Sequence, residues 1–445
     1  MPKKKTALTI EERLQQALVP AEEQPYEVPE NWVWVRLIGN VNSCLDGYRK
    51  PINSSERAKR VGKVPYYGAT GQVGWIDDYL TNEHLVLLGE DGAPFLDLLK
   101  DKAYIIFGEA WVNNHAHILK SYFGEIGNVF LMHYLNMVDY KDYVKGTTRL
   151  KLTQGSMQLM PFPLPPLSEQ QRIVERIEEL FAKLDEAKER LQEVVDSFAV
   201  RKAAILHKAF TGELTQQWRL ENGVSDESWE EKTIGEICSS LKYGTSKKSS
   251  DDGEVVVLRM GNLQNGEIDW SNLAYTSDEE DIKKYLLKSG DVLFNRTNSP
   301  ELVGKTSIYR GEMPAIYAGY LIKLDYEKNI VVGDYLNYYL NSSKAKEYYM
   351  QVKTDGVSQS NINAKKIGEF EIPLPTLSEQ HEIVRLIDDL LARERSAQQA
   401  TEQALASIDL MKKSILARAF RGELGTNKAS EASALELLKQ VLAEN

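Results

Sequence analysis

PLPPLSEQQRIVERIEELF (residues 163–181) is written a second time as PLPTLSEQHEIVRLIDDLL (residues 373–391), 210 positions further along the chain. Repetition over this length marks a duplicated structural unit. The offset persists downstream, where KAAILHKAFTGEL (202–214) returns as KKSILARAFRGEL (412–424), so the residues between carry no net insertion. Loops tolerate insertion, whereas a segment whose length sets a distance does not. Upstream the frame is kept while the content changes. GTTRLKLTQGSMQLMPFPLP from Gly146 faces GVSQSNINAKKIGEFEIPLP from Gly356, FLMHYLN (130–136) faces YLNYYLN (335–341), and WVRLIGNV (34–41) faces EKTIGEI (231–237). The order is variable segment, repeat, variable segment, repeat.

Each repeat specifies a long helix. Pro165 and Pro166 exclude helix, and Ser168 with Gln171 has the spacing of a capping box. Ile173, Ile177, Leu180, Leu184, Ala187, Leu191, Val194, Phe198, Arg201 and Ile205 then alternate in steps of four and three until Gly212 supplies a stop. The spacing predicts a helix of about 43 residues, about 64 Å long at 1.5 Å per residue. The second copy predicts the seam Ile383, Ile387, Leu390, Glu394, Ala397, Thr401, Ala404, Ile408, Met411 and Ile415 before Gly422, interrupted by Glu394 and Thr401. Its cap is the weaker, because His381 stands where the first copy has Gln171. Each stripe could pack on its own domain. Two matched helices with one narrow stripe each bury them most simply against one another, as an antiparallel coiled coil relating the flanking domains by an approximate twofold axis.

The expected fold is α+β, two mixed α/β domains separated by two long helices. The segments are an N-terminal amphipathic helix (1–25), a first variable domain (26–164), a first spacer helix (165–214), a second variable domain (215–374), a second spacer helix (375–424) and a C-terminal helical tail (425–445). In the variable domains HLVLLG, AYIIF, EVVVLRMGNL, GDVLFNRTNS and AIYAGYLIKL read as strands, and NVFLMHYLNMV and GDYLNYYLNSSKAKEYYMQ as helices.

Two cysteines, Cys44 and Cys238, are too few for a disulfide framework or a thiolate metal site, so a reducing cytoplasm is expected. The segment MPKKKTALTIEERLQQALV is charged and amphipathic, unlike a signal peptide or membrane span. A net charge of −11 lowers the expectation of nucleic-acid binding, yet the placement of charge decides that question. Basic and aromatic residues gather in the presumed loops of both variable domains. The first has Arg49, Lys50, Arg57, Lys59, Arg60, Lys63, Tyr66 and Tyr67, with Arg149 later. The second has Lys242, Tyr243, Lys247, Lys248, Arg259, Asn262, Arg296 and Asn298, with Lys353, Gln359 and Asn361 in the polar run KTDGVSQSNINAKK. Arg and Lys suit phosphates and guanine edges, and Asn and Gln suit adenine edges. Any one of these residues taken alone is better read as solvated surface.

Catalytic constellations are poor. GEDGA (89–93) with Glu109 lacks a lysine at nuclease spacing, and the other half reads NRTN at the corresponding place. His115 and His117 alternate without an apparent third ligand. There is no phosphate loop, dinucleotide fingerprint, nucleophile elbow or amino-methyltransferase motif. A coiled-coil scaffold without DNA binding is the competing reading.

The doubled LPPLSEQ-type motif, with AFTGELTQQWR, AFRGEL and the domain entry YEVPENWVWVRLIGNV, resembles the specificity subunit of bacterial type I restriction-modification enzymes over nearly the whole chain. The resemblance implies two target-recognition domains, each reading half of a bipartite site on double-stranded DNA, held apart by the helical pair. It implies two methyltransferase subunits that bind S-adenosylmethionine and methylate adenine, and restriction subunits that translocate with ATP and Mg. It implies no catalytic residue and no cofactor of this chain's own. The tail ASALELLKQVLAEN is an addition without an assigned role.

Overall fold

The computed structural model describes residues 9–357 and 359–444. Residues 1–8 of the expected N-terminal segment, and Ser358 in the polar run, lie outside the described residues. The chain divides into two compact units, one containing the residues up to Gln192 together with those from Gln403, the other Glu193–Glu402. Both long helices contribute to both units.

In the first unit Val33–Arg36 pairs antiparallel with Pro161–Leu164, Trp34 opposite Pro163, so the variable domain's entry and exit lie side by side. Between them Asn42–Cys44, Ala116–Ser121, Leu85–Gly89 and Ala103–Ile106 form, in that spatial order, an antiparallel sheet. Leu85–Leu88 are all fully buried, which is why this strand reads as an unbroken apolar run. A smaller sheet orders Gly71–Ile76, Val64–Gly68, Glu109–Val112 and Thr81–Asn82, its middle pair parallel.

The second unit repeats this topology with different residues. Glu230–Thr233 pairs with Glu371–Leu374, and Glu231 stands opposite Pro373. Cys238–Tyr243, Leu321–Tyr326, Val292–Asn295 and Thr306–Ile308 make the four-stranded sheet. Val255–Leu258 lies between Tyr275–Thr276 and a parallel Ala315–Tyr317 in the smaller one. Two expectations change here. AIYAGYLIKL turns at Ala318–Tyr320 and supplies a strand to each sheet. GDYLNYYLNSSKAKEYYMQ is two helices, Gly333–Leu340 and Ser343–Val352, because the Ser342 hydroxyl accepts the Ala345 amide and starts a new one.

The long helices span Leu167–Phe210 and Leu377–Ala419, 44 and 43 residues. In the first unit Lys188 and Lys412 pair with Asp409 and Asp185, so the start of one helix lies along the end of the other. In the second unit Arg201 pairs with Glu394 at 2.8 Å, and the ends are exchanged. The helices run antiparallel. Arg201 and Glu394, the charged positions of the two expected seams, are therefore each other's partner, a device that fixes register where apolar contact would permit slippage. The seam is correct at its ends, with Ile173, Ile177, Ile383 and Ile387 fully buried, and wrong at Val194, Ala397 and Met411, which are exposed. Leu391 takes a buried place that Leu390 was expected to hold.

The predicted capping box does not form. Each helix begins two residues earlier, at Leu167 or Leu377, which puts the serine inside the first turn, and the adjacent glutamine folds back instead. Gln170 donates to the Pro165 carbonyl at 3.1 Å and Gln380 to the Pro375 carbonyl at 2.9 Å. The second helix also has a side-chain cap, as Thr376 accepts the Glu379 amide at 3.4 Å where the first has Pro166. Both helices end before a left-handed glycine, Gly212 at φ +80° and Gly422 at φ +72°.

The remaining motif letters are explained by packing. Phe420 stands 5.0 Å from Phe130 and 5.2 Å from Tyr134, and its counterpart Phe210 stands 5.3 Å from Tyr335 and 5.0 Å from Tyr339. The aromatic that closes each long helix thus plugs the aromatic helix of the variable domain beside it. The glutamate of each SEQ triplet is fully buried. Glu169 accepts from the Trp32 indole and the Asn427 amide, both at 2.8 Å. Glu379 accepts from the Trp229 indole at 3.1 Å and from Thr215 and Arg219 at 2.7 Å. Each carboxylate therefore ties a helix start to a domain entry and to the segment following the other helix's end. The tail has a place in this arrangement. Arg172 pairs with Glu431, and helix Ala434–Glu444 buries Ala434, Leu438 and Leu442 in the first unit's core.

Candidate nucleic-acid interface

In the second unit Thr245–Ser249, Arg259, Arg296, Thr297, Gly319, Tyr320 and Asn361 line a groove of about 640 Å³. Five residues expected at the interface, Lys247, Lys248, Arg259, Arg296 and Asn361, converge there from four separate stretches of sequence. The Arg296 guanidinium lies 4.8 Å over the Tyr243 ring, while the Tyr243 hydroxyl accepts the Ala364 amide at 2.9 Å and keeps the ring in place. One Arg296 terminal nitrogen reaches the Gly319 carbonyl at 3.3 Å, and its buried Nε has no partner. An unpaired buried donor costs about 1–3 kcal/mol, which an acceptor entering the groove would recover. Asn361 donates to Thr297 at 2.8 Å, Arg259 to Asn272, and Lys247 pairs with Asp278 at 2.7 Å. Lys248 has no ion-pair partner among the described residues.

Other expected members of this set stand outside the groove. Asn262 is buried, receiving the Arg259 amide on its oxygen and spending its nitrogen on the carbonyls of Asp269 and Asn272, so no edge of it is left for a base. Lys242 pairs with Asp325 and Lys353 with Asp355. Burial pushes the Asp325 carboxyl up, but Lys242, Lys323 and Ser240 together bring it down to about 2. Asn298 accepts its neighbour's amide, and Gln359 is exposed. Tyr320, half-exposed on the groove wall, was missed. Its signal was a glycine–tyrosine pair between two short apolar runs, a turn disguised as one strand.

The first unit arranges its cations differently. Tyr66 and Trp111 are buried, and cations lie over their faces: Arg57 at 4.7 Å from the Tyr66 centroid, Arg60 at 4.6 Å and Lys50 at 5.8 Å from that of Trp111. Tyr66 thus supports a cation where the sequence reading had it facing a ligand. Tyr67 is half-buried 6.0 Å from Tyr104, and burial raises its phenol. Arg60 is neutralised by Asp77 at 2.6 Å, whereas Lys50, Arg57, Lys59 and Lys63 have no carboxylate partner among the described residues.

Arg49 and Arg149 belong to an internal ion-pair network. Arg49 bridges Asp46 and Glu90, Lys151 holds Glu90 at 2.8 Å, and Arg149 and His115 share Asp91 at 2.6 Å. Burial raises the Asp46 and Glu90 carboxyls, and their partners more than offset it, holding both below the usual range. Lys151 thus completes the carboxylate–lysine grouping that the linear spacing lacked, but as a compensated salt bridge. Cys44, Asp46 and His117 place one potential metal-ligand atom each within 4.8 Å of one another. His117 is already committed, to Asp46 at 2.7 Å and to the Leu152 carbonyl at 2.9 Å.

The family model for the type I restriction modification DNA specificity domain matches residues 29–196 and again 226–405. The chain belongs to this family. The twofold match coincides with the two structural repeats, and each specificity domain runs on into its own long helix. The EcoBI specificity subunit of Escherichia coli is 30 % identical over 318 residues, 66 % of this chain and 66 % of that protein. Two solved chains share the fold across 90 % of this chain and 100 % of their own. One comes from work on complex assembly and conformational transition of the type I R-M system (TM-score 0.63, 18 % identity), the other is the HsdS subunit from Thermoanaerobacter tengcongensis (TM-score 0.59, 19 % identity). DNA recognition, rather than a scaffold without DNA, is the role of these domains. Among the described residues no helix is long and apolar enough to cross a membrane.

Proposed function

We propose that the two specificity domains, at 26–164 and 215–374, read the two halves of a bipartite duplex site, and that the spacer helices at 165–214 and 375–424 set the distance between them. The observation that carries this reading is the groove of the second unit, where Lys247, Lys248, Arg259, Arg296 and Asn361 converge around an unpaired guanidinium donor. Cations of this kind position the phosphate backbone, and Arg or Asn edges discriminate bases. In the first unit Lys50, Arg57, Lys59 and Lys63 are assigned the same task. Chemistry is left to partners: two methyltransferase subunits that bring S-adenosylmethionine to adenine, and restriction subunits that use ATP and Mg. A cytoplasmic location follows from that work.

The test is binding by the full chain with its methyltransferase subunit to duplexes carrying the host's mapped methylation site. Matched DNA should bind far more tightly than scrambled DNA at physiological salt, and neither half-site alone should suffice. No preference would sink the reading. One heptad inserted between Ile173 and Ile205, matched in the second helix, should change the tolerated spacing while both half-sequences stay the same. Unchanged spacing would show that the helices are not the ruler.

A further inference from the structure

The two units make different use of equivalent positions on the long helices. In the first, Lys412 meets Asp185 and Lys188 meets Asp409, two ion pairs across the helical seam. Shifting these positions by the repeat offset gives Lys202 with Arg395, and Gln398 with Ala199. The second unit therefore keeps the lysine and reverses its partner's charge. Lys202 is half-buried, and burial together with the fields of Lys346 and Arg395 lowers its ammonium. No carboxylate lies within ion-pairing distance of Lys202, Lys346 or Arg395 among the described residues.

These cations border two adjoining hollows of about 350 and 600 Å³ that share Ala199, Lys202 and Asn265. Three carboxylates are on the lining. Arg310 holds Glu267 and Arg201 holds Glu394, leaving Glu301 as the one without a cation. The remainder mixes amide and hydroxyl groups, Asn337, Tyr338 and Gln398, with apolar side chains such as Phe198, Leu302 and Leu391. The charge decides the occupant: three cations without a carboxylate partner among the described residues, set beside amide and hydroxyl groups, suit phosphate and sugar. A short stretch of chain leads from the reading groove to the smaller hollow. Thr297 and Asn298 pair with Asn361 and Ser360, and the chain then runs directly through Ser299 to Lys305, five residues of which line the smaller hollow.

We propose that Lys202, Lys346 and Arg395 form a second, sequence-independent site in the second unit that holds the phosphate backbone of duplex DNA where it leaves the reading groove. This rests on the recognition reading above and adds to it a binding surface that no base contacts. The counter-ion that the first unit supplies as Asp185 is here supplied by the ligand.

The experiment uses the full chain, a variant carrying Arg395→Asp with Lys346→Ala, and fluorescence anisotropy on matched and scrambled duplexes between 50 and 200 mM KCl. Arg395→Asp installs the ion pair that the first unit already makes, so the fold is retained, which thermal unfolding checks. Each phosphate contact contributes about 0.9 to the slope of log affinity against log salt. The variant's slope should be shallower by about 2 to 3 on both duplexes, with the ratio between them unchanged. An unchanged slope overturns the proposal. Unchanged slope with weakened capture of the methyltransferase subunit also overturns it, in favour of an acidic protein face. If the unaltered chain fails to distinguish the duplexes, the recognition reading fails by itself, and the comparison of slopes still decides the phosphate site.

Discussion

Glu169 and Glu379 occupy the same place in the two repeats, are equally buried, and are satisfied by different chemistry. Glu379 faces a guanidinium, Arg219, with Thr215 and Trp229. Glu169 faces neutral donors, Trp32, Asn427 and a more distant Thr426 at 3.4 Å. What the repeat preserves is a carboxylate where three segments meet, and the donors are free to vary as long as each lone pair is met. The largest effect expected in this molecule follows. Glu379→Ala takes the carboxylate away from a buried guanidinium and should cost about 3–5 kcal/mol. Glu169→Ala strands only neutral donors and should cost about 2–3 kcal/mol. Hydrogen exchange resolved by unit would measure both, and equal losses would refute the distinction.

Acid should separate the units next. His133 and Tyr338 hold matching places on the domain helices, beside Glu178 and Asp388 of the long helices. Burial pushes the His133 imidazole down to about 4. Its folded value lies below the ordinary 6.5, so the unfolded chain binds the extra proton first. Stability from this group is fully present above about pH 6.5 and is lost as pH falls toward 4, by about 3 kcal/mol in total. His133→Tyr, the second unit's residue, should remove that slope from melting profiles of the first unit. A slope that persists would assign the loss to other groups.

Smaller effects test the grooves and the seam. Arg296→Ala should reduce discrimination between matched and single-mismatch duplexes by about 1–3 kcal/mol and leave the melting temperature nearly unchanged. Loss of binding on all duplexes alike would make Arg296 a phosphate contact instead. The Arg201–Glu394 pair is partly exposed, so a double-mutant cycle with alanine should return only about 0.5 kcal/mol of coupling. Its role in register would show as a second helical alignment populated when both residues become leucine.

The helices and the doubled plan were legible because a 210-residue offset and a heptad spacing are properties of the sequence itself. The cap was misread for a local reason. Ser168 and Gln171 satisfy the spacing, but the helix starts two residues earlier and Gln170 competes for the same turn. Exposure at Val194 and Ala397 reflects how little a two-helix seam can cover at its middle. The interface list mixes cations that face solvent with cations already paired, because composition cannot distinguish the two. Arg49 and Arg296 read alike in sequence. One is pinned by Asp46 and Glu90, carboxylates contributed by distant strands, and the other lies on Tyr243 with a donor unspent. Tertiary placement of acidic groups decided which candidates remained free.

The closure of the first unit by Asn427, Glu431 and helix Ala434–Glu444 sets an order of assembly. Glu169 waits for a partner 258 positions later, whereas Glu379 finds Arg219 and Trp229 already synthesised. The first domain to leave the ribosome is thus the last to be completed, with its core face toward Phe420 and Leu438 uncovered for roughly ten seconds to under a minute at ordinary elongation rates. During that interval the nascent chain presents an unfinished apolar surface, and chaperone dependence of synthesis should track the first unit rather than the second.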